Sequence, residues 1–90
     1  MLDVRFTGQF KKDLAKVEKQ NKQVDKLYEV IDLLRQEKPL PDKNHDHPLI
    51  GEWSGCRECL IEPDWLLIYR INKNVLELRL IRTGSHSDLF

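Results

Sequence analysis

In this chain of 90 residues, the side chains able to move a proton or hold a phosphate near a strand end are His45, His47, Arg57, Asp64, Arg82 and His86. Histidine gives and takes protons near neutral pH. Arginine presents a planar fork that grips a phosphate and the charge developing on it. Trp65, Tyr69 and Phe90 add aromatic surfaces on which an unpaired base can stack. Together these groups suit cleavage of RNA without a metal. One group removes the proton of a 2′-hydroxyl, another protonates the departing 5′-oxygen, and arginines hold the phosphate between them. Taken singly, each histidine is more often a surface residue without a role, so spacing alone favours this chemistry only weakly.

Metal binding is the rival chemistry. Cys56, Cys59, His45 and His47 can be written as a four-ligand zinc set. Cys56 and Cys59 fall on a predicted strand, however, where residues three apart point to opposite faces. His45 and His47 are too close to form the usual histidine half of such a site. The expectation is therefore no metal and no cofactor, with Cys59 a small buried residue. No secretory context supports a structural disulfide.

The candidate groups need a scaffold, and hydropathy patterning outlines one. Pro63-Asp64 marks a turn into Trp65-Leu66-Leu67-Ile68-Tyr69-Arg70-Ile71, an almost unbroken apolar and aromatic run. Such a run, bounded by turn signals, predicts a strand buried on both faces. Asn72-Lys73-Asn74 offers a tight turn, because asparagine tolerates positive φ. From Val75 to Arg82 the pattern alternates, with Leu76, Leu78 and Leu80 on one side and Glu77 and Arg79 on the other. That predicts a hairpin built on a central strand.

Upstream, Leu2, Val4 and Phe6 alternate with Asp3 and Arg5 as in a short half-buried strand. Thr7 can cap a helix starting at Gly8, in which Phe10, Leu14 and Val17 recur at helical spacing. Asn21 can cap a second amphipathic helix carrying Val24, Leu27, Tyr28, Ile31 and Leu34 and ending near Glu37. Pro39 and Pro41 prevent its continuation. Residues 38–52 read as a polar loop, Trp53 to Glu62 as a strand region broken by Gly55, and Arg82 to Phe90 as a polar turn and tail. The predicted order is β-α-α-β-β-β: an α+β fold in one small domain, residues 1–90, whose helical hairpin covers one face of an antiparallel-rich sheet. In the strand after Gly55, Arg57, Cys59 and Ile61 share one face, and Glu58, Leu60 and Glu62 the other. Leu60 is thus an apolar residue between two carboxylates on the face expected to be polar.

Lysine plus arginine and aspartate plus glutamate both number 15, so the whole chain is no electrostatic magnet for nucleic acid. Between Lys11 and Lys26, six lysines face only Asp13, Glu18 and Asp25. This reads first as a solvated helix face, and second as a footprint for phosphates. No apolar run nears membrane-spanning length and no signal-peptide core opens the chain, which makes a cytoplasmic protein without a membrane partner the expectation.

The order of elements, together with several motifs, resembles the YafQ branch of the RelE-type toxins. Those motifs are Asp46-His47-Pro48-Leu49, Gly51-Glu52-Trp53, Arg57-Glu58-Cys59, Glu62-Pro63-Asp64-Trp65 and Arg82-Thr83-Gly84-Ser85-His86-Ser87-Asp88-Leu89-Phe90. The likeness covers essentially the whole chain. It implies a RelE-like microbial RNase fold and a ribosome-dependent endoribonuclease that cuts mRNA and arrests translation. It also implies a cognate antitoxin that neutralises the toxin, and a complex of the two that binds operator DNA. Position by position, the resemblance implies proton transfer by His47 and His86, with Asp64 positioning one of them or acting as a base. It implies a phosphate contact at Arg82, a stacking ring at Phe90, and substrate-side support from Trp65 and Arg57. One position departs from the family pattern: Leu60 stands where the family usually has a histidine of the active face. Leucine carries no proton, so either a natural homologue has weakened activity or a histidine was replaced to let the toxin be produced. A protein that binds antitoxin or ribosome without cutting, acting in operon autoregulation, is the alternative.

Overall fold

The computed structural model describes residues 1–90. Strand β1 (Asp3–Phe6) leads into helices α1 (Gly8–Lys19) and α2 (Val24–Arg35). A two-residue strand, β2 (His47–Pro48), follows, then β3 (Arg57–Glu62), β4 (Trp65–Asn72), β5 (Glu77–Gly84) and a short helix, α3 (His86–Leu89). The sheet runs β1-β5-β4-β3-β2. Its pairs are antiparallel except β1 with β5, which is parallel. The α+β architecture and the order of the main elements are those expected.

Local chemistry explains the helix ends. Thr7 Oγ1 accepts the Phe10 amide at 3.1 Å and starts α1. Asn21, expected to cap α2, instead ends α1. It takes a left-handed φ of 58°, and the Lys22 amide reaches back to the Val17 carbonyl, closing a Schellman turn. Glu37 ends α2 the same way, with Lys38 bonding to Leu33. At the head of β4, Pro63 followed by Asp64 at φ 60° meets the needs of a type II turn.

The helical hairpin covers one face of the sheet. Phe10, Val17, Leu27, Ile31 and Leu34 pack there against Cys59, Ile61, Trp65, Leu67, Tyr69, Leu78 and Leu80. The opposite face, called the outer face below, was expected to be polar at Leu60. It carries a second, smaller core instead: Leu66 and Ile68 are covered by Leu89 of α3, with Leu49, Trp53, Cys56, Leu60 and Ile81 around them. Strand β4 is therefore buried on both faces from Trp65 to Tyr69, as its composition predicts, and emerges at Arg70.

Three further expectations change. The segment 38–52 holds β2 and two 3₁₀ turns, Asp42–Asn44 and Gly51–Trp53, so Trp53 lies outside the strand assigned to it. The tail is helical at His86–Leu89. The last hairpin turns over residues 73–76, and Leu76 at φ 51° is exposed rather than aligned with Leu78 and Leu80.

Candidate active site

Glycine 84 makes the corner that brings α3 over the outer face. Its φ is 153°, and a Cβ there would stand 3.1 Å from Asp88 Oδ2, so a larger residue would be strained and would crowd the Asp88 side chain. Ser85 and Asp88 then form a reciprocal capping box. Lys16 Nζ of α1 donates to Asp88 Oδ1 at 2.7 Å and ties the helix down from outside. Leu89 presses on Leu66 and Ile68, while Phe90 stays exposed with its ring edge-on to Trp53 at 6.1 Å.

This corner places His86 against Asp64. The Asp64 carboxylate accepts both the backbone amide of His86, at 3.0 Å, and its ring Nδ1–H, at 2.9 Å. Because a carboxylate only accepts, the proton of the neutral ring is fixed on Nδ1, and Nε2 is left free. These two bonds, the backbone one foremost, hold the Asp64 carboxyl below its ordinary range. A carboxylate so held is a weak base and a firm support. Phe90 lies 6.4 Å from the His86 ring, centroid to centroid.

The same depression gives α3 an acid limit. Lys16 first, then the Ser85 amide, bring the Asp88 carboxyl down to about 2. Both Asp64 and Asp88 titrate lower in the folded chain than in the unfolded one. Their contribution to docking α3 is therefore complete above the ordinary carboxylate range and is lost as pH falls through the folded values. Trp53 emission is expected to hold steady down to about pH 4 and to change between about pH 4 and 2 as Phe90 leaves it. A transition centred above pH 5 would contradict this assignment.

Arg82 lies one strand across from Ile68, beside a β-bulge, and its side chain turns to α1. There Asp13 accepts its Nε at 2.7 Å and its Nη2 at 3.1 Å, a bidentate pair. Asp13 also accepts the Thr83 amide at 3.2 Å and so satisfies a β5 edge that β1 does not reach. These bonds keep the Arg82 guanidinium protonated more firmly still. Asp13, only 8 % exposed, is a positioning residue that reading the sequence missed, since among six lysines it looked like surface charge. Replacing Asp13 by alanine orphans a half-buried guanidinium and a buried amide. It is expected to cost about 3 kcal/mol and to lower the melting temperature by roughly 15 °C. An unchanged melting temperature would remove Asp13 from this role.

Trp65 does not serve as a stacking surface. It is fully buried on the helix side, and its Nε1–H donates to Thr83 Oγ1 at 2.9 Å. Tyr69 is likewise buried, and its hydroxyl donates to Asp46. The exposed aromatic pair near His86 is Phe90 with Trp53.

His47 stands on β2 at the other margin of the outer face. The register His47–Glu58–Ile68–Arg82 forms one row across four strands. The His47 Nδ1–H donates to the His45 carbonyl at 2.7 Å, which again leaves Nε2 free, here 3.8 Å from Glu58 Oε1. Glu58 is buried beneath it. Alternation had placed Glu58 on the Leu60 face, the signal by which it could have been singled out. Behind β2, Asp46 anchors the segment by accepting from Tyr69 Oη and from Arg57 Nε, the latter at 3.3 Å. Arg57 thus belongs to the helix-side face, paired opposite Tyr69, and the structure does not bring it to His86 or Arg82.

Leu60 pairs with Leu66 on the outer face, between the Glu58 row and the Asp64 turn. A side chain at position 60 therefore points into the ground separating His47 from His86. Cys56 lines the outer core and Cys59 the inner one, so the thiols do not face one ion. Burial pushes the Cys59 thiol up to about 12, which keeps it protonated and inert.

Comparison with known proteins bears on this arrangement. Residues 2–90 match the family model described as YafQ, a bacterial toxin of type II toxin–antitoxin systems. The mRNA interferase toxin YafQ of Escherichia coli K12 is 42 % identical over 89 residues, spanning 98 % of this chain and 95 % of that one. Among solved structures, a metal-bound toxin from Helicobacter pylori superposes with a TM-score of 0.95 at 43 % identity, covering 100 % of both chains. The toxin of the E. coli DinJ–YafQ toxin–antitoxin complex superposes with a TM-score of 0.89 at 41 % identity, covering 99 % of this chain and 97 % of that one.

Proposed function

This chain belongs to the YafQ family of bacterial type II toxins, and we propose that residues 1–90 act as one toxin domain that cleaves mRNA on the ribosome. The observation that carries this reading is the His86 ring, oriented by ionised Asp64 with Nε2 free beside exposed Phe90. His47, with its own free Nε2 across the Leu60–Leu66–Ile68 floor, is the second proton carrier.

In the reaction, one imidazole Nε2 takes the 2′-hydroxyl proton while the 2′-oxygen attacks phosphorus. The P–O5′ bond breaks, and a protonated Nε2 supplies the proton to O5′. The products are a 2′,3′-cyclic phosphate and a 5′-hydroxyl. Arg82, held in place by Asp13, faces the charge gathering on the phosphate, and Phe90 stacks on a flanking base. Asp64 acts as a positioning residue.

A chain with equal numbers of basic and acidic residues grips free RNA weakly, which supports the ribosome as the platform. The setting is then the cytoplasm, and no helix is long and apolar enough to cross a membrane. By its likeness to the toxin of the DinJ–YafQ complex, the chain is neutralised by a cognate antitoxin, and the complex binds the operator DNA.

The test is incubation of one message, naked or bound in programmed ribosomes, with the purified chain and with its Leu60→His variant. Cleavage confined to ribosome-bound message, with 5′-hydroxyl ends, is the expected result. Products with 5′-phosphate ends would sink the 2′-hydroxyl route. Leu60 favours a second reading, a protein that docks on antitoxin and ribosome without cutting. Ribosome association with no cleavage by either form would move that reading ahead.

A further inference from the structure

Beyond the ground covered by α3, the outer face carries three arginines in one row. Arg5 of β1 pairs in register with Arg79 of β5, and Arg79 with Arg70 of β4. Neighbouring strands are about 4.8 Å apart, so Arg5 and Arg70 begin roughly 10 Å from each other. Like charges directly opposite across strands are destabilising. Glu77 offsets part of this, taking Arg79 in a fork at 2.9 Å and Arg5 at 3.8 Å. It leaves Arg70 without a carboxylate partner. Asp3 stands opposite Glu77 at the far end of the next row, so the arginine nearest the candidate site is the one left free.

The row continues the candidate site. Arg70 lies over Gly55, its Cζ 3.6 Å from where a Cβ would sit, on the loop just after Trp53. Arg70, Arg79, Asn72 and Glu77 border a depression of about 310 Å³ whose remaining walls are Cys56 and Ile81, members of the outer core. Along β5, Arg82 is three residue steps from Arg79, roughly 10 Å at strand rise. A strand whose reacting phosphate meets Arg82 therefore reaches Arg79 by running along β5, with Arg70 beside it on β4. Guanidinium forks match phosphates bidentately and also present a flat face to bases.

We propose that Arg70, Arg79 and Arg5 form a phosphate track for the message strand where it leaves the cleavage site, gripping its backbone without reading its sequence. This rests on the reading of the chain as an mRNA-cleaving toxin.

The test uses the whole chain and a fluorescein-labelled single-stranded RNA with every 2′-hydroxyl O-methylated, so that cleavage does not interfere. Anisotropy is followed across a salt series. Replacing both Arg70 and Arg79 by glutamine is expected to make the slope of log affinity against log salt shallower by about 1.4, at about 0.7 per phosphate contact on a single strand. Glu77→Gln is expected to move the other way, tightening binding by freeing Arg79, a gain that a merely damaged fold does not produce. An unmoved slope in the double variant, or no RNA binding by the parent chain at low salt, overturns the proposal. So does tighter binding of a glutamate-rich peptide than of RNA by the same row, which would assign it to an acidic protein. On ribosomes, the double variant is expected to lose association only when message is present. Equal loss on empty ribosomes overturns the assignment to message in favour of ribosomal RNA. Cleavage is scored separately: slopes that shift in a chain that never cuts keep the track and remove the nuclease, and cleavage with unmoved slopes does the reverse.

Discussion

Replacing His86 by alanine is expected to lower cleavage of ribosome-bound message by about 10²–10⁴-fold, the usual cost of losing a positioned acid or base. The side chain is well exposed and contributes little packing, so melting behaviour should stay near that of the parent. A separation between lost rate and retained stability distinguishes proton transfer from a structural role. Asp64→Asn should fall between the two. The amide can still accept from His86 through its oxygen but no longer faces it with a negative charge, so orientation is weakened rather than abolished. Cleavage by the His86→Ala chain at the parental rate would remove His86 from the mechanism. Proton transfer would then rest on His47 with Glu58.

Leu60→His carries the opposite sign. The residue lies on the outer face between the Glu58 row and the Asp64 turn, so an imidazole there would enter the ground that the substrate phosphate must cross. If a third proton carrier completes the site, cleavage is expected to rise by about 10²–10⁴-fold. The change also removes an apolar contact from a small core and should cost about 1 kcal/mol of stability. A variant that is both faster and less stable fits an active site that trades packing for chemistry. Equal rates for the two forms would show that position 60 has no part in proton transfer and that His47 and His86 suffice.

Much of this could be read from the chain, and the gaps have physical causes. The apolar run of β4 left no face for water, and both helices carried clean amphipathic spacing, so the main elements and their layering followed from periodicity. What failed were short segments. Four residues of α3 and the turn at Gly51–Trp53 are too brief for any period to emerge, yet they supply Leu89 and Trp53, which convert the expected polar face into a second core. Leu60, expected to be out of place on a polar face, is instead a member of that core, so alternation alone gives it no special standing. Trp65 reads as a stacking surface by residue type and as a substrate-side position by its motif, but the strand is buried on both sides there, and its indole is spent on Thr83. Arg57 shares a face with Cys59 and Ile61 by simple alternation, and that pattern already directed it away from the site. Asp13 acts across 70 residues of sequence, a distance over which no local pattern can report.

The parallel pairing of β1 with β5 has a consequence for how activity arises. Thr7 reaches the Leu80 and Ile81 carbonyls across 73 and 74 residues, among the longest loop closures this chain makes. Local hairpins and helices can form in isolation, but a contact of that span must wait until most of the chain is ordered. Helix α1 reaches the sheet with that closure, bringing the Asp13 that holds Arg82. The Arg82 guanidinium is thus set against Asp13 only once that closure is made. Partly folded intermediates should accordingly be harmless, and competence should appear all at once rather than accumulate by degrees.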